Sequence, residues 1–304
     1  MSRQSQTRRT VLRGIGTGAI VLVGGVGAAA ADDDTDDRGD GTTAEVRVGH
    51  LSPDAPAVDV YVGKEPDGDP TVGGLTYTNF APNAGGSYLD LEKGTYDVAV
   101  TPAGATSPQV IDVDGVELGA NRNYTVLAVG ELAPEGNEPG IRALPLVDNA
   151  GDDTALPPAD AALVRFVHAS PDAGAVDVEV NGSTLLGGVT FGTASGYYEA
   201  PSDATVEIVK DGSTVLGPIS NPLDDGQKGT AYVVGNATPE DAPEDGPATD
   251  DAGLGAVTTL DATNPSKGRG DRDDDGDEGD EEDEERGRGE GEGDGGRGRR
   301  RGDD

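Results

Sequence analysis

The chain has 304 residues, and its 58 acidic and 22 basic side chains give a formal net charge of −36. This charge argues against a nucleic-acid-binding protein, because phosphates would be repelled. The sequence has no cysteine, which excludes disulfides, a thiol nucleophile, cysteine-type zinc sites and a cysteine-linked lipid anchor. The acidic excess predicts a protein of a salt-loving organism, because concentrated salt screens the repulsion between carboxylates.

Residues 1–31 are predicted to be a Tat-type export signal. A twin-arginine pair, Arg8 and Arg9, precedes an apolar run over residues 15–26, and Ala31 ends a stretch of small residues suited to cleavage. The run is rich in glycine and shorter than the roughly 20 residues that span a bilayer. We therefore expect cleavage, no membrane span in the mature chain, and a protein that is extracellular or associated with the cell surface. An uncleaved membrane anchor is the alternative.

The rest of the sequence contains an internal repeat. The segment 47–62, Arg-Val-Gly-His-Leu-Ser-Pro-Asp-Ala-Pro-Ala-Val-Asp-Val-Tyr-Val, returns over 165–180 with most positions identical. A weaker echo pairs Tyr88 with Tyr198, and each copy closes with an apolar stretch that ends in Asp148 or Asp261. The two segments start 118 positions apart (165 − 47), which is too long for a solenoid repeat and fits duplicated whole domains.

The repeat predicts how the mature chain is divided. The predicted parts are an acidic linker over 32–43, a first domain over 44–150, a linker over 151–161, a second domain over 162–263 and a tail over 264–304. The tail consists almost entirely of Gly, Asp, Glu and Arg. Such a composition cannot bury enough apolar surface to offset chain entropy, so the tail is predicted to be disordered.

Within each domain the apolar residues recur with a period of two, which predicts strands. Val58, Val60 and Val62 alternate with other residues, whereas residues 124–129 are almost continuously apolar, as in a strand buried on both faces. Asp114-Gly115, Asn181-Gly182 and Asp211-Gly212 have the composition of tight hairpin turns. The predicted fold is all-β, with two tandem immunoglobulin-like β-sandwich domains. A closed barrel is the alternative.

The repeated motif resembles the signature of a known family. The pattern His-x-Ser-Pro-Asp-Ala-x-Ala-Val-Asp-Val follows a Val-Arg-Val or Val-Arg-Phe strand in both copies, and in this form it is similar to the domain-of-unknown-function 4397 family. The second copy has Gly174 where the first has Pro56. The resemblance implies an exported protein with β-sandwich domains, and it implies no activity.

The polar residues of the motif are the candidate site residues. They are His50, Ser52, Asp54 and Asp59 in the first copy and His168, Ser170, Asp172 and Asp177 in the second. One interpretation is a secreted hydrolase or a metal-binding protein that uses the His-x-Ser-Pro-Asp loops. The favoured interpretation is structural: the histidine hydrogen-bonds its own loop, and Ser and Asp satisfy loop backbone groups. One histidine per domain is too few for a typical zinc site, so no catalytic residue, metal or cofactor is predicted.

Three sequons mark candidate glycosylation sites at Asn123, Asn181 and Asn236. Asn181 is the strongest candidate because it lies at a predicted hairpin tip. Asn123 begins a core strand and is expected to be less accessible.

Together these features predict an exported, non-enzymatic binding or structural module. The expected partner is an unknown surface or extracellular molecule, either a glycan or an envelope protein. No nucleic-acid partner is expected.

Overall fold

The structure is a computed structural model, and it describes residues 42–63, 66, 68–149, 157–238 and 253–264. The predicted export signal, with Arg8, Arg9 and Ala31, lies outside these residues. The same holds for most of the acidic linker and for the tail beyond residue 264. Among the residues that are described, no helix is long and apolar enough to cross a membrane.

The first sandwich consists of strands β1 to β9. They are β1 Thr43–Leu51, β2 Val58–Val62, β3 Val72–Leu75, β4 Phe80–Ala81, β5 Leu89–Glu92, β6 Gly94–Pro102, β7 Ile111–Leu118, β8 Asn123–Val129 and β9 Arg142–Asn149. One sheet has the order β4-β1-β8-β9, with β5 also paired to β1, and the other has the order β3-β2-β6-β7.

The second sandwich repeats this arrangement with strands β10 to β17. They are β10 Ala162–His168, β11 Val176–Val180, β12 Ser183–Val189, β13 Ala194–Ala200, β14 Thr205–Lys210, β15 Ser213–Ser220, β16 Gln227–Val234 and β17 Gly255–Thr263. Its sheets have the orders β13-β10-β16-β17 and β12-β11-β14-β15. The prediction of an all-β chain with two tandem sandwiches is confirmed.

The strand order gives each sandwich a parallel pair at its centre. β1 runs parallel to β8, with Arg47 opposite Thr125, and β10 runs parallel to β16, with Arg165 opposite Thr230. Both domains have the two facing sheets of an immunoglobulin-like sandwich. In a constant-type immunoglobulin domain, however, the first strand lies beside the second, whereas here β1 lies beside β8 and β10 lies beside β16.

Each sandwich has its own apolar core between its two sheets. The first core is filled by every second side chain along each strand, including Val46 and Val48 of β1 and Val58 and Val60 of β2. The second core contains the corresponding residues Val164, Phe166, Val176 and Val178. The alternation in the sequence therefore marks the inward faces of the strands.

A third apolar cluster joins the two sandwiches. It contains Leu51, Phe80, Leu127, Val129 and Leu146 from the first sandwich and Val167, Ala169, Tyr232 and Val234 from the second. The rings of Phe80 and Tyr232 meet across this boundary with their centroids 5.4 Å apart. The prediction that residues 124–129 form a strand buried on both faces is confirmed, because β8 lies between its own core and the second sandwich. Both sandwiches belong to one compact unit.

Two of the three predicted hairpin turns are confirmed. Asn181-Gly182 connects β11 to β12 and Asp211-Gly212 connects β14 to β15, with φ between 50° and 74° at all four residues, as a two-residue turn of this type requires. The prediction for Asp114-Gly115 is wrong. This dipeptide lies inside β7 beside a register shift in the β6–β7 ladder, so the positive φ of Gly115 accommodates a bulge instead of a chain reversal.

Candidate functional site

The two motif histidines are buried at the ends of β1 and β10, with both ring nitrogens bound to backbone groups. His50 Nδ1 accepts a hydrogen bond from Ser52 N at 3.3 Å, and its Nε2 lies 3.0 Å from Pro56 O. His168 repeats the pattern with Ser170 N at 3.3 Å and Gly174 O at 2.7 Å. Because Nδ1 accepts, Nε2 must carry the proton and donate it, which assigns the neutral tautomer. Burial lowers the pKa of both rings, in agreement with this assignment.

The motif aspartates Asp54 and Asp172 connect the motif loop to the segment that follows the central parallel strand. Asp54 accepts hydrogen bonds from Leu132 N at 2.7 Å and Ala133 N at 2.8 Å. Asp172 accepts from Ala237 N at 2.7 Å and from the backbone and hydroxyl of Thr238. Burial acts to raise the pKa of Asp172, but these donors together outweigh it, so that the pKa is lowered overall. Each carboxylate therefore holds two loops together by charge-assisted bonds.

The second aspartate of each motif has a similar role on β2 and β11. Asp59 binds Gly74 N through one carboxylate oxygen and Gly104 N through the other, both at 2.7 Å. Asp177 binds Gly188 N at 2.7 Å. These contacts tie the second strand of each sandwich to its neighbour, β3 or β12, and in the first sandwich also to the turn that follows β6.

The motif side chains are therefore brought together, but they bind the protein itself. Ser52 is fully buried, and its hydroxyl lies 3.3 Å from Asp54 Oδ1, while both nitrogens of His50 are engaged by the backbone. In this arrangement His50 has no free nitrogen with which to accept a proton from Ser52. Across the described ranges, no group of three or more His, Cys, Asp or Glu side chains is arranged to hold a metal ion.

The three sequons differ in accessibility. Asn181 is exposed at the tip of the β11–β12 hairpin, whereas Asn123 is half-buried and its amide donates to Glu45. Asn236 is 3% exposed, and its amide nitrogen lies 3.4 Å from Glu131 Oε1 in the other sandwich. Because Asn236 is buried between the two sandwiches, it is not accessible to a glycosylating enzyme in the folded protein, and Asn181 stays the strongest candidate.

A buried network of charged groups joins the sandwiches beside the third apolar cluster. Arg47 Nη2 of the first sandwich lies 2.5 Å from Asp261 Oδ1 of the second. Arg165 Nη2 of the second sandwich forms the matching ion pair with Asp148 of the first. All four side chains are at most 5% exposed. Each arginine therefore pairs with the aspartate of the other domain, and we call these four residues the cross-domain quartet.

Further groups complete the hydrogen bonding of the quartet, again in matching positions. Thr125 and Tyr88 donate to Asp148 at 2.5 and 3.0 Å, and Thr230 and Tyr197 donate to Asp261 at 2.6 and 2.9 Å. The guanidinium groups lie over the same tyrosines, Arg47 over Tyr88 at 4.7 Å and Arg165 over Tyr197 at 4.9 Å. The weak echo in the sequence aligns Tyr88 with Tyr198. The contacts show that Tyr197 is the counterpart, because strand parity points Tyr197 at the interface.

The electrostatics of the quartet keep the arginines charged. Burial alone lowers the pKa of Arg47, but Tyr88, Asp261 and Asp148 together raise it above its ordinary value. Burial, followed by repulsion from Asp261, raises the pKa of Asp148, while the two arginines oppose that shift. A third cation, Lys228, donates to the backbone carbonyl of Asp148 at 2.7 Å, and burial lowers its pKa. Both arginines thus favour the ionised state of Asp148, and the larger contribution comes from Arg165 of the other domain.

Comparison with family models decides the family. The model described as "Domain of unknown function (DUF4397)" matches residues 44–179 and 162–259, two overlapping regions that together cover more than two thirds of the chain. The chain belongs to the DUF4397 family. None of the curated proteins matches it. The first DUF4397 match extends through β10 and into β11, and thus includes most of the repeated segment of the second copy.

The cross-domain quartet is not among the candidate site residues that the sequence predicts, although both copies of the DUF4397 repeat contribute to it. Arg47 and Arg165 lie directly between apolar residues in Val-Arg-Val and Val-Arg-Phe, and Asp148 and Asp261 end the last apolar stretch of each copy. A charged residue repeated at one position inside a predicted core strand must have a buried partner. That signal could have singled out the arginines, but it could not have shown which aspartate each one binds.

Proposed function

We propose that this DUF4397 protein is an exported, non-enzymatic structural and binding module of a halophile, displayed at the cell surface or secreted. The observation that carries the proposal is the use of the repeated polar residues. His50, Asp54 and Asp59 bind their own loops, and Arg47 and Asp148 bind the other sandwich. Residues used in this way stabilise a scaffold.

A rigid pair of sandwiches suits a role outside the cell. Without cysteine the protein cannot use disulfides, and the buried charges supply an alternative link between the domains. The strongly acidic composition supports a halophilic origin, since salt at molar concentration reduces the Debye length to about 3 Å. The partner is expected to be an extracellular glycan or an envelope protein that contacts the outer surface of the sandwiches.

Export is tested by changing Arg8 and Arg9 together to Lys. This double variant keeps the charge but alters the receptor-read pair, so we expect unprocessed protein to remain inside the cell. Arg13→Lys, outside the pair, is the matched control and should be secreted normally. Secretion of the double variant at the wild-type level would contradict the proposed route.

The binding role is tested by cell fractionation followed by a glycan array with the purified full-length chain. Sedimentation with the envelope favours a protein partner, and retention on defined glycans favours a carbohydrate ligand. Hydrolysis of an ester or peptide panel that disappears in Ser52→Ala, in a variant that remains folded, would contradict the non-enzymatic assignment.

A further inference from the structure

The core of the first sandwich contains a cavity of about 40 Å³. Its lining is entirely apolar and includes Val48, Val60, Val100, Ile111 and Val126. A water molecule needs roughly 10–15 Å³ of such volume and two to four polar partners to be held in a protein interior. By volume the cavity could hold about three water molecules, but its lining offers no polar group to bind them. The cavity therefore favours an apolar occupant.

The duplicated domain shows how this core can be filled. In the repeat Val48 of β1 corresponds to Phe166 of β10, and both side chains point into the core of their own sandwich. Phe166 is 3% exposed, so its ring is accommodated inside the second core. The first sandwich has the smaller valine at the same position, and the cavity lies against that side chain.

One part of the lining reaches the surface of the sandwich. Val62, Leu91 and Tyr96 line the cavity and are partly exposed, whereas Val58 and Val60 on the same wall are buried. An elongated apolar group could enter at this end and leave its polar remainder in solvent. A carboxylate or phosphate on that remainder would be repelled by the net charge of −36.

We propose that the first sandwich binds the uncharged alkyl end of a small molecule, a segment of three or four carbon atoms, in this cavity. This inference goes beyond the proposed function, because it assigns a ligand site to the interior of one domain. In the second sandwich the buried ring of Phe166 occupies the position that Val48 holds in the first.

The test uses the full-length protein in molar salt and a series of uncharged 1-alkanols from two to eight carbons. Methyl NMR of Val, Leu and Ile residues should show shifts confined to the cavity lining. Each added carbon should strengthen binding about fourfold, the value for burying one CH₂ group at about 0.8 kcal/mol. The gain should stop at about four carbons, when the cavity is full.

Two filling variants and one opening variant decide the outcome. Val48→Phe places in the first core the residue that the second already holds, and Ala128→Leu fills the same cavity from β8 if the first variant does not fold. Both should abolish the shifts. Phe166→Val should add a second set of shifts in the second sandwich. Absence of lining shifts up to the solubility limit, or unchanged binding in a folded filling variant, would overturn the proposal.

Discussion

Replacing Asp148 by Ala should remove most of the connection between the two sandwiches. Its carboxylate accepts hydrogen bonds from Arg165, Arg47, Thr125 and Tyr88. Removal would leave the buried Arg165 with only its longer contact to Asp261, at 3.8 Å, and would leave the Tyr88 hydroxyl without its acceptor.

The expected loss is a large fraction of the stability of the protein. Removing one partner of a buried ion pair costs about 3–5 kcal/mol, because the other charge stays buried without compensation. A domain of ordinary size has a free energy of unfolding of about 5–15 kcal/mol. Arg165→Met should cost a similar amount. The double variant should cost about 1–3 kcal/mol less than the sum of the two, because it leaves no orphaned charge at this pair.

Urea unfolding in molar potassium chloride measures these free energies, with far-UV circular dichroism and tyrosine fluorescence as independent probes. Asp112→Ala is the matched control, since Asp112 is exposed on β7 and should change stability by less than about 0.5 kcal/mol. A loss below about 1 kcal/mol for Asp148→Ala would refute the reasoning. Additive losses in the double variant would refute it as well.

Three further predictions concern the motif histidine, the buried Glu131 at the boundary between the sandwiches, and the salt requirement. His168→Ala should lower the thermal midpoint, because Ser170 N and Gly174 O lose their partner at about 1–3 kcal/mol; a wild-type melting curve would contradict the structural role. Burial, followed by Glu138 and Asp54, raises the pKa of Glu131 from 4.5 to about 8. Between these two pH values the native state keeps a proton that the unfolded state has lost. The free energy of unfolding should therefore fall as pH rises from about 4.5 to 8. Glu131→Gln should flatten that dependence in urea titrations and raise the unfolding free energy at pH 8, and an unchanged slope would show that Glu131 is not its source. Dialysis from molar to about 0.01 M salt, where the Debye length is about 30 Å, should abolish the β-sheet dichroism, and full retention at neutral pH would show that the acidic surface does not require salt.

The sequence predicted the architecture well because its signals are local. Period-two alternation identified the strands, and the repeat identified two similar sandwiches. The uninterrupted apolar run of 124–129 even indicated that something covers the outer face of β8. It did not indicate that the second sandwich packs on this face, because an apolar run in a sequence does not identify the element against which it packs.

The cross-domain pairs were beyond local reasoning for a similar reason. Arg47 and Asp261 are separated by 214 positions in the chain, and Asp148 of the first copy is an equally suitable partner by charge. Only the packing of the two sandwiches places Arg47 Nη2 at 2.5 Å from Asp261 and at 3.4 Å from Asp148. Asp114-Gly115 failed differently: its preference for positive φ was correctly detected, but that preference serves a bulge as well as a turn.

Calorimetry of the full-length protein tests the central claim, that the cross-domain quartet makes the two sandwiches one unit. In molar salt the wild-type chain should melt in a single transition whose calorimetric and van't Hoff enthalpies agree, and Asp148→Ala should melt earlier, with the transition resolved into two. Two independent transitions in the wild-type protein, each unaffected by Asp148→Ala, would contradict the account.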